Sequence, residues 1–257
     1  MVGEIRLTLG LKLLRSDRSG QVLIVAALAI AVLISSTTIY VYEQDRRIDA
    51  EGTRSIDSVV FSLEQGARNA LISSLVNVSR DGPITVLASN LETLSTIARD
   101  SYGYALCNLS CNPLENSDYQ SGFWLSWNTS TNAVSSVFAR FNLTVQSGTA
   151  GATRIFEVNV TTGLTMNGSY AIVGSEKQVN LSVAVYDEEG PASAGSFAVF
   201  YESNGNWTQV DALSLIVADN GDGTYSLSFI APSDAASVCL HMFDSRGIRV
   251  ESLYDIA

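Results

Sequence analysis

The chain has 257 residues, with 15 Lys and Arg against 26 Asp and Glu and a formal net charge of −11. That balance argues against a nucleic-acid partner, because phosphate binding needs clustered Lys and Arg, and it suits an acidic outer surface. The length allows a membrane segment and one or two modest domains with real cores.

Residues 1–20 form a short basic leader, with Arg6, Lys12, Arg15 and Arg18 against Glu4 and Asp17. Residues 21–42 follow as QVLIVAALAIAVLISSTTIYVY, without a charge. As a helix this run spans roughly 33 Å, about the hydrocarbon thickness of a bilayer. It is therefore expected to be a transmembrane helix in contact with membrane lipid. A cleaved secretory signal has a shorter apolar region that ends in small residues. Here the run ends in Thr, Ile, Tyr, Val and Tyr, and Tyr40 and Tyr42 suit the far membrane interface. The Lys/Arg bias expects a cytoplasmic N-terminus in the cell membrane and an extracellular part at 43–257, although Arg46 and Arg47 moderate it.

The pattern N-x-[ST] occurs at Asn77, Asn108, Asn128, Asn142, Asn159, Asn167, Asn180 and Asn206. All eight lie beyond the apolar run, as in an exported glycoprotein.

Residues 43–101 are expected to be a helical stalk or hairpin. From 43 to 80, apolar residues recur at spacings of three and four, among them Ile56, Val59, Leu63, Ala67, Leu71 and Leu75. Gly52 and Gly66 weaken that helix by about 1 kcal/mol each against Ala. No Pro interrupts residues 21–81, so the membrane helix is expected to continue outward as one rod until Asp81-Gly82-Pro83 stops it. A second helix is expected at 84–100.

Residues 102–120 read as a loop that contains Cys107, Cys111 and Pro113. From Gly122 the pattern alternates with period two. Strands are expected at 122–127, 134–146, 153–162, 168–173, 178–186, 195–202, 206–210, 212–218, 223–230, 236–243 and 247–253. Short strands at regular intervals indicate an antiparallel β-sandwich. A first β unit is placed at 121–174 and a second at 175–257, which makes the fold class α+β.

In the second unit Val179, Leu181, Val183 and Val185 alternate, and DNGDGTY (219–225) precedes SLSFIAP (226–232). Asn-Gly and Asp-Gly supply positive φ for a tight turn. Tyr225, Leu227 and Phe229 then share one strand face and fill the sandwich. The segment resembles immunoglobulin-like repeats of the filamin and bacterial-adhesin kind, which implies a C-terminal Ig-like domain and does not imply a particular ligand.

Candidate chemistry is sparse. Asp219, Asn220 and Asp222 lack the spacing of a calcium loop and read as a hairpin turn. Cys239 and His241 stand two apart on one strand face, but no further metal ligand is apparent, so a structural role is expected. No nucleophile elbow, zinc-protease, phosphate-loop or dinucleotide motif occurs. No cofactor and no enzymatic role are expected, with an ectoenzyme built on an unrecognised carboxylate pair as a remote alternative. Cys107 and Cys111 could close a small disulfide loop or remain buried thiols.

RSDRSG followed by QVLIVAALAIAVLI resembles the class III signals of type IV pilin-like proteins. Val25 stands at the fifth mature position, where bacterial pilins carry Glu, and archaeal pilin-like proteins often lack that Glu. The resemblance implies an archaeal envelope and cleavage between Gly20 and Gln21 by a prepilin-type peptidase. It also implies self-assembly through the N-terminal helix. The expected function is thus a non-enzymatic cell-surface structural or interaction protein, pilin-like in its N-terminus. The alternative is a single-pass anchored adhesin or envelope spacer that forms no filament.

Overall fold

The computed structural model describes residues 30–39, 54–101, 106–127, 132–147, 150–188 and 190–256. It divides into two units, Met1–Ser55 and Ile56–Ala257. In the first unit residues 30–39 form helix α1 with exposed side chains. The Ser36 and Thr38 hydroxyls donate back to the carbonyls of Leu33 and Ile34 at 2.9 and 2.7 Å, which hides their polarity within the helix. The remainder of the apolar run, the leader with Gly20, and the expected rod through residues 43–53 lie outside the described residues. No helix among the described residues is long and apolar enough to cross a membrane.

The second unit holds α2 (Arg54–Val78) from Ile56 onward, followed by α3 (Val86–Ser101). The apolar stripe of α2 is buried from Ile56 to Val78, and α3 buries Leu87, Leu91 and Ala98. Gly66 sits where the helices meet, since a Cβ there would stand 3.0 Å from Leu94 Cδ1. Its cost in helix propensity is therefore offset by a close crossing. Asp81, at φ 66°, turns the chain after α2, and Gly82 N–H closes on the Asn77 carbonyl at 2.9 Å. The stop expected at Asp81-Gly82-Pro83 is thus present.

All strand pairings are antiparallel. The larger sheet contains β1 (Leu106–Pro113), β2 (Phe123–Ser126), β3 (Ala133–Ser147), β4 (Ala150–Val173), β5 (Glu176–Asp187), β6 (Gly190–Pro191), β9 (Ile216–Asp219) and β10 (Thr224–Pro232). Its main order is β1-β3-β4-β5-β10-β9, with β2 on β3 and β6 on β5. The smaller sheet contains β7 (Ala194–Ser203), β8 (Asn206–Gln209), β11 (Ala235–Asp244) and β12 (Arg249–Asp255), in the order β12-β11-β7-β8.

One face of the larger sheet is covered twice. At the β1–β3 end the helices lie over Leu109, Val137, Phe141, Leu143 and Val160. At the other end the smaller sheet packs face to face, with Val199, Leu240, Met242 and Val250 meeting Leu164, Leu181, Leu227 and Phe229. This second layer pair is the expected sandwich. Strand β4 passes through both cores, with Val158 and Val160 in the first and Leu164 and Met166 in the second.

Several expectations are corrected. The segment read as a loop at 102–120 contains strand β1, in which Cys107 and Leu109 are buried while Leu106, Asn108 and Ser110 are exposed. Strands expected separately at 153–162 and 168–173 are one strand, β4. The strand expected at 212–218 shortens to β9, because Asp211 starts a turn that binds the Leu213, Ser214 and Leu215 amides. The division at 174/175 falls in the β4–β5 hairpin of a single sheet.

Candidate functional site

The opposite face of the larger sheet carries no further layer among the described residues. Only the segment after β1 reaches over it, setting the Tyr119 ring 5.9 Å from Trp124 and 6.3 Å from Phe138. Strand alternation decides which side chains stand there, since residues i and i+2 share a face. In a sequon on a strand the Asn and its Ser or Thr therefore point the same way.

Asn108, Asn142, Asn159, Asn167 and Asn180 all occupy this bare face and are exposed. The register interlocks them in pairs. Asn108 lies across from Thr144 and Ser110 from Asn142. Asn167 likewise lies across from Ser182, and Ser169 from Asn180. The outward residues of β10 continue the pattern as Ser226 and Ser228. The result is a broad face of hydroxyls and amides, interrupted by the exposed Leu106, Ile155 and Ile230 and by the Arg140–Glu157 ion pair. A shallow hollow of about 530 Å³ on it is lined by Asn167, Ser169, Asn180, Ser182, Ile216 and Ser228.

Asn159 differs from the others because its Oδ1 accepts from Ser136 and Thr161 hydroxyls at 3.2 and 3.1 Å. Asn206 is exposed at the start of β8, and Asn77 is exposed on α2. Asn128 and the processing pair Gly20 and Gln21 lie outside the described residues.

Cys107 and Cys111 are free thiols on one strand. Four residues of extended chain separate their Cα atoms by about 13 Å, roughly twice the reach of a disulfide. The alternative of a small disulfide loop is therefore corrected to two thiols on the covered face. Burial pushes both up, Cys111 to about 12, so neither is a ready nucleophile.

The densest charge cluster joins α2, the larger sheet and the β11–β12 turn. Glu188 accepts from Arg68 and from Arg246 Nη1, the latter at 3.1 Å, while its other oxygen accepts the Thr161 amide at 3.2 Å. Asp244 accepts from Arg246 Nε, Thr162 Oγ1 and the Ile248 amide, each at 2.8 Å. Every carboxylate in this cluster is occupied by protein donors, which is the pattern of a structural clasp.

Cys239 and His241 stand on the outer face of the smaller sheet, as their spacing implied. The cross-strand register adds a residue that was not legible, because His241 lies opposite Glu251. One ligand atom from each of Cys239, His241 and Glu251 lies within 4.8 Å of the others. The glutamate is ten residues downstream on the next strand, and only a correct register brings it there.

No known protein family matches this chain, and no curated protein matches it.

Proposed function

We propose that the protein is a non-enzymatic cell-surface structural or interaction subunit, pilin-like at its N-terminus and carrying an extracellular head with an immunoglobulin-like sandwich. The carrying observation is the succession of an uncharged run at residues 21–42, set directly after RSDRSG, and a β-rich region whose larger sheet holds five sequon asparagines on its bare face. The run anchors the chain in membrane lipid. After cleavage at Gly20 by a prepilin-type peptidase, the same apolar helix packs against copies of itself. The head then faces the exterior of an archaeal envelope, with its bare face covered by sugar.

The second reading is a single-pass adhesin or envelope spacer that keeps its leader. The uncharged run favours it equally, because an apolar helix satisfies lipid and a filament core alike. The processing site separates the two. Gly20→Val leaves the apolar run unchanged, so insertion is retained. For a pilin-like subunit the variant stays in the membrane, heavier than wild type by Met1–Gly20, and yields no filaments. Equal masses with Met1–Gly20 still attached in the wild type would leave the anchored reading standing. The mature N-terminus is read by mass spectrometry on isolated envelopes.

A further inference from the structure

We propose that Cys239, His241 and Glu251 form a binding site for one divalent cation of the zinc class on the outer face of the smaller sheet. The ligand types suit it. Thiolate, imidazole and carboxylate together select a borderline cation such as Zn²⁺ over Mg²⁺ or Ca²⁺, which take oxygen donors. Three protein ligands leave one tetrahedral position open for water or a further donor.

The geometry is prearranged by the backbone. Cys239 and His241 project from β11 to the same side, and β12 sets Glu251 directly opposite His241. His241 Nε2 and Glu251 Oε1 are already 3.5 Å apart, close to the spacing of two ligands on a tetrahedral zinc. The remaining closure, from ligand-atom separations of up to 4.8 Å, lies within side-chain rotation. The three groups are only partly exposed, and the Phe200 ring packs 4.7 Å from His241 and restrains it.

Arg249 is the obvious opposing charge. Its Nε lies 3.1 Å from Glu251 Oε1. Its guanidinium is also held by Asp81, with Nη2 at 2.9 and 3.0 Å from the two carboxylate oxygens, and it sits over the Trp127 ring at 5.1 Å. Asp81 offsets its charge, and Arg249 then orients the Glu251 carboxylate as an outer partner of the metal. On coordination the Cys239 thiol gives its proton to solvent and the sulfur lone pair forms the metal bond.

The test uses the full chain in detergent micelles, reduced and freed of metal with a chelator. Co²⁺ is titrated as the probe and Zn²⁺ as the competitor. The expected result is one equivalent of Co²⁺ with a thiolate-to-metal charge-transfer band in the near ultraviolet, displaced by Zn²⁺. The band persists in Cys107→Ser and Cys111→Ser and disappears in Cys239→Ser. Glu251→Gln weakens Zn²⁺ affinity at least about tenfold, the lower end of what even an outer-shell partner commands. Should Cys239→Ser fold poorly, the melting temperature decides, because the same Zn²⁺ concentration raises it less in Glu251→Gln than in wild type. No band in the reduced wild type, a band that survives in folded Cys239→Ser, or an equal Zn²⁺ shift in Glu251→Gln would overturn the site.

Discussion

Glu188 and Arg246 meet across the two sheets, with Arg246 Nη1 at 3.1 and 3.2 Å from the two carboxylate oxygens. Glu188 follows the last residue of β5 in the larger sheet, and Arg246 lies in the turn between β11 and β12 of the smaller one. Arg68 reaches the same carboxylate from α2. One side chain thereby ties the helical layer and both sheets at the seam between the two cores. Arg246 completes the clasp by donating through Nη2 to Thr161 O and Thr162 Oγ1, both at 2.8 Å.

This clasp predicts acid sensitivity. Burial works against the charge of Glu188, yet hydrogen bonds from backbone amides, Thr161 among them, and the Arg246 guanidinium hold its carboxyl below the usual glutamate range. A depressed native value means that the stabilisation is complete above the unfolded value of about 4.3 and is lost as pH falls through the native one. Glu188→Gln should cost about 1–3 kcal/mol near pH 7, because Arg246 keeps Asp244 but loses its second carboxylate. Urea unfolding of the full chain at pH 7 and at pH 3 checks both points. The variant and wild type should converge in the acid, and a constant difference would refute the linkage.

The register of β10 gives a sharper contrast. Tyr225, Leu227 and Phe229 are 4, 1 and 2% exposed, while Ser226 and Ser228 face the bare side. Tyr225 also packs edge-on to Phe197 at 5.0 Å and accepts the Ala194 amide at 2.9 Å. Tyr225→Ala or Phe229→Ala should lose about 3–5 kcal/mol, whereas Ser226→Ala or Ser228→Ala should be nearly neutral. Because β4 supplies Leu164 and Met166 to this core, the measurement belongs in the full chain and not in a fragment of residues 175–257. The reverse ranking would put β10 one residue out of register.

Where alternation was strong, the fold was legible. Val179, Leu181, Val183 and Val185 are all buried, and the turn glycines Gly221 and Gly223 adopt φ 80° and 83° as the Asn-Gly and Asp-Gly pairs require. Strand β1 was obscured by Asn112-Pro113 and by two cysteines read as a loop signal, although Cys107, Leu109 and Cys111 do alternate. In β4, Gly163 and Gly168 flank the gap left between the strands expected at 153–162 and 168–173. They make room for tyrosines, since a Cβ on Gly163 would meet the Tyr186 ring at 2.2 Å and one on Gly168 the Tyr254 ring at 2.7 Å. Glu251 was missed because a ligand contributed by a neighbouring strand has no sequence spacing to announce it. The role of Glu188 was missed for a similar reason, because in the sequence it stands beside Glu189 and reads as turn surface.

Lys177 is a third residue whose role depends on tertiary placement. It occupies an inward position of β5 and is 6% exposed. Its ammonium donates to the Ala235 and Ile256 carbonyls at 2.7 and 2.8 Å and lies 4.9 Å from the Tyr170 ring centroid. It thus fastens the start of β11 and the residue that follows β12 to the larger sheet. Lys177→Met keeps the stem but leaves two carbonyls without this donor, which should cost about 1–3 kcal/mol. Hydrogen exchange should quicken at the Ile256 amide, which donates to the Ala236 carbonyl at 2.8 Å. Unchanged stability and unchanged exchange would show that the ammonium contributes nothing net.

The bare face makes the glycoprotein reading testable site by site. On protein isolated from its own envelope, mass spectrometry should find sugar on peptides carrying Asn142, Asn167 and Asn180, whose amides point outward beside their own hydroxyl residue. Thr144→Ala and Ser182→Ala should remove the adducts at Asn142 and Asn180 respectively, with little change in stability, because both hydroxyl residues are exposed. Asn159 should behave differently. Its carbonyl oxygen anchors a chain in which Tyr119 contacts Ser136 at 2.9 Å and Ser136 contacts Thr161 at 2.7 Å. Asn159→Ala should therefore cost about 1 kcal/mol even in protein made without any glycosylation, whereas Asn142→Ala in the same material should not. Sugar absent from every described sequon would leave the Ser, Thr and Asn of this face as plain solvated polar residues of an open sheet, and the exported-glycoprotein reading would fail.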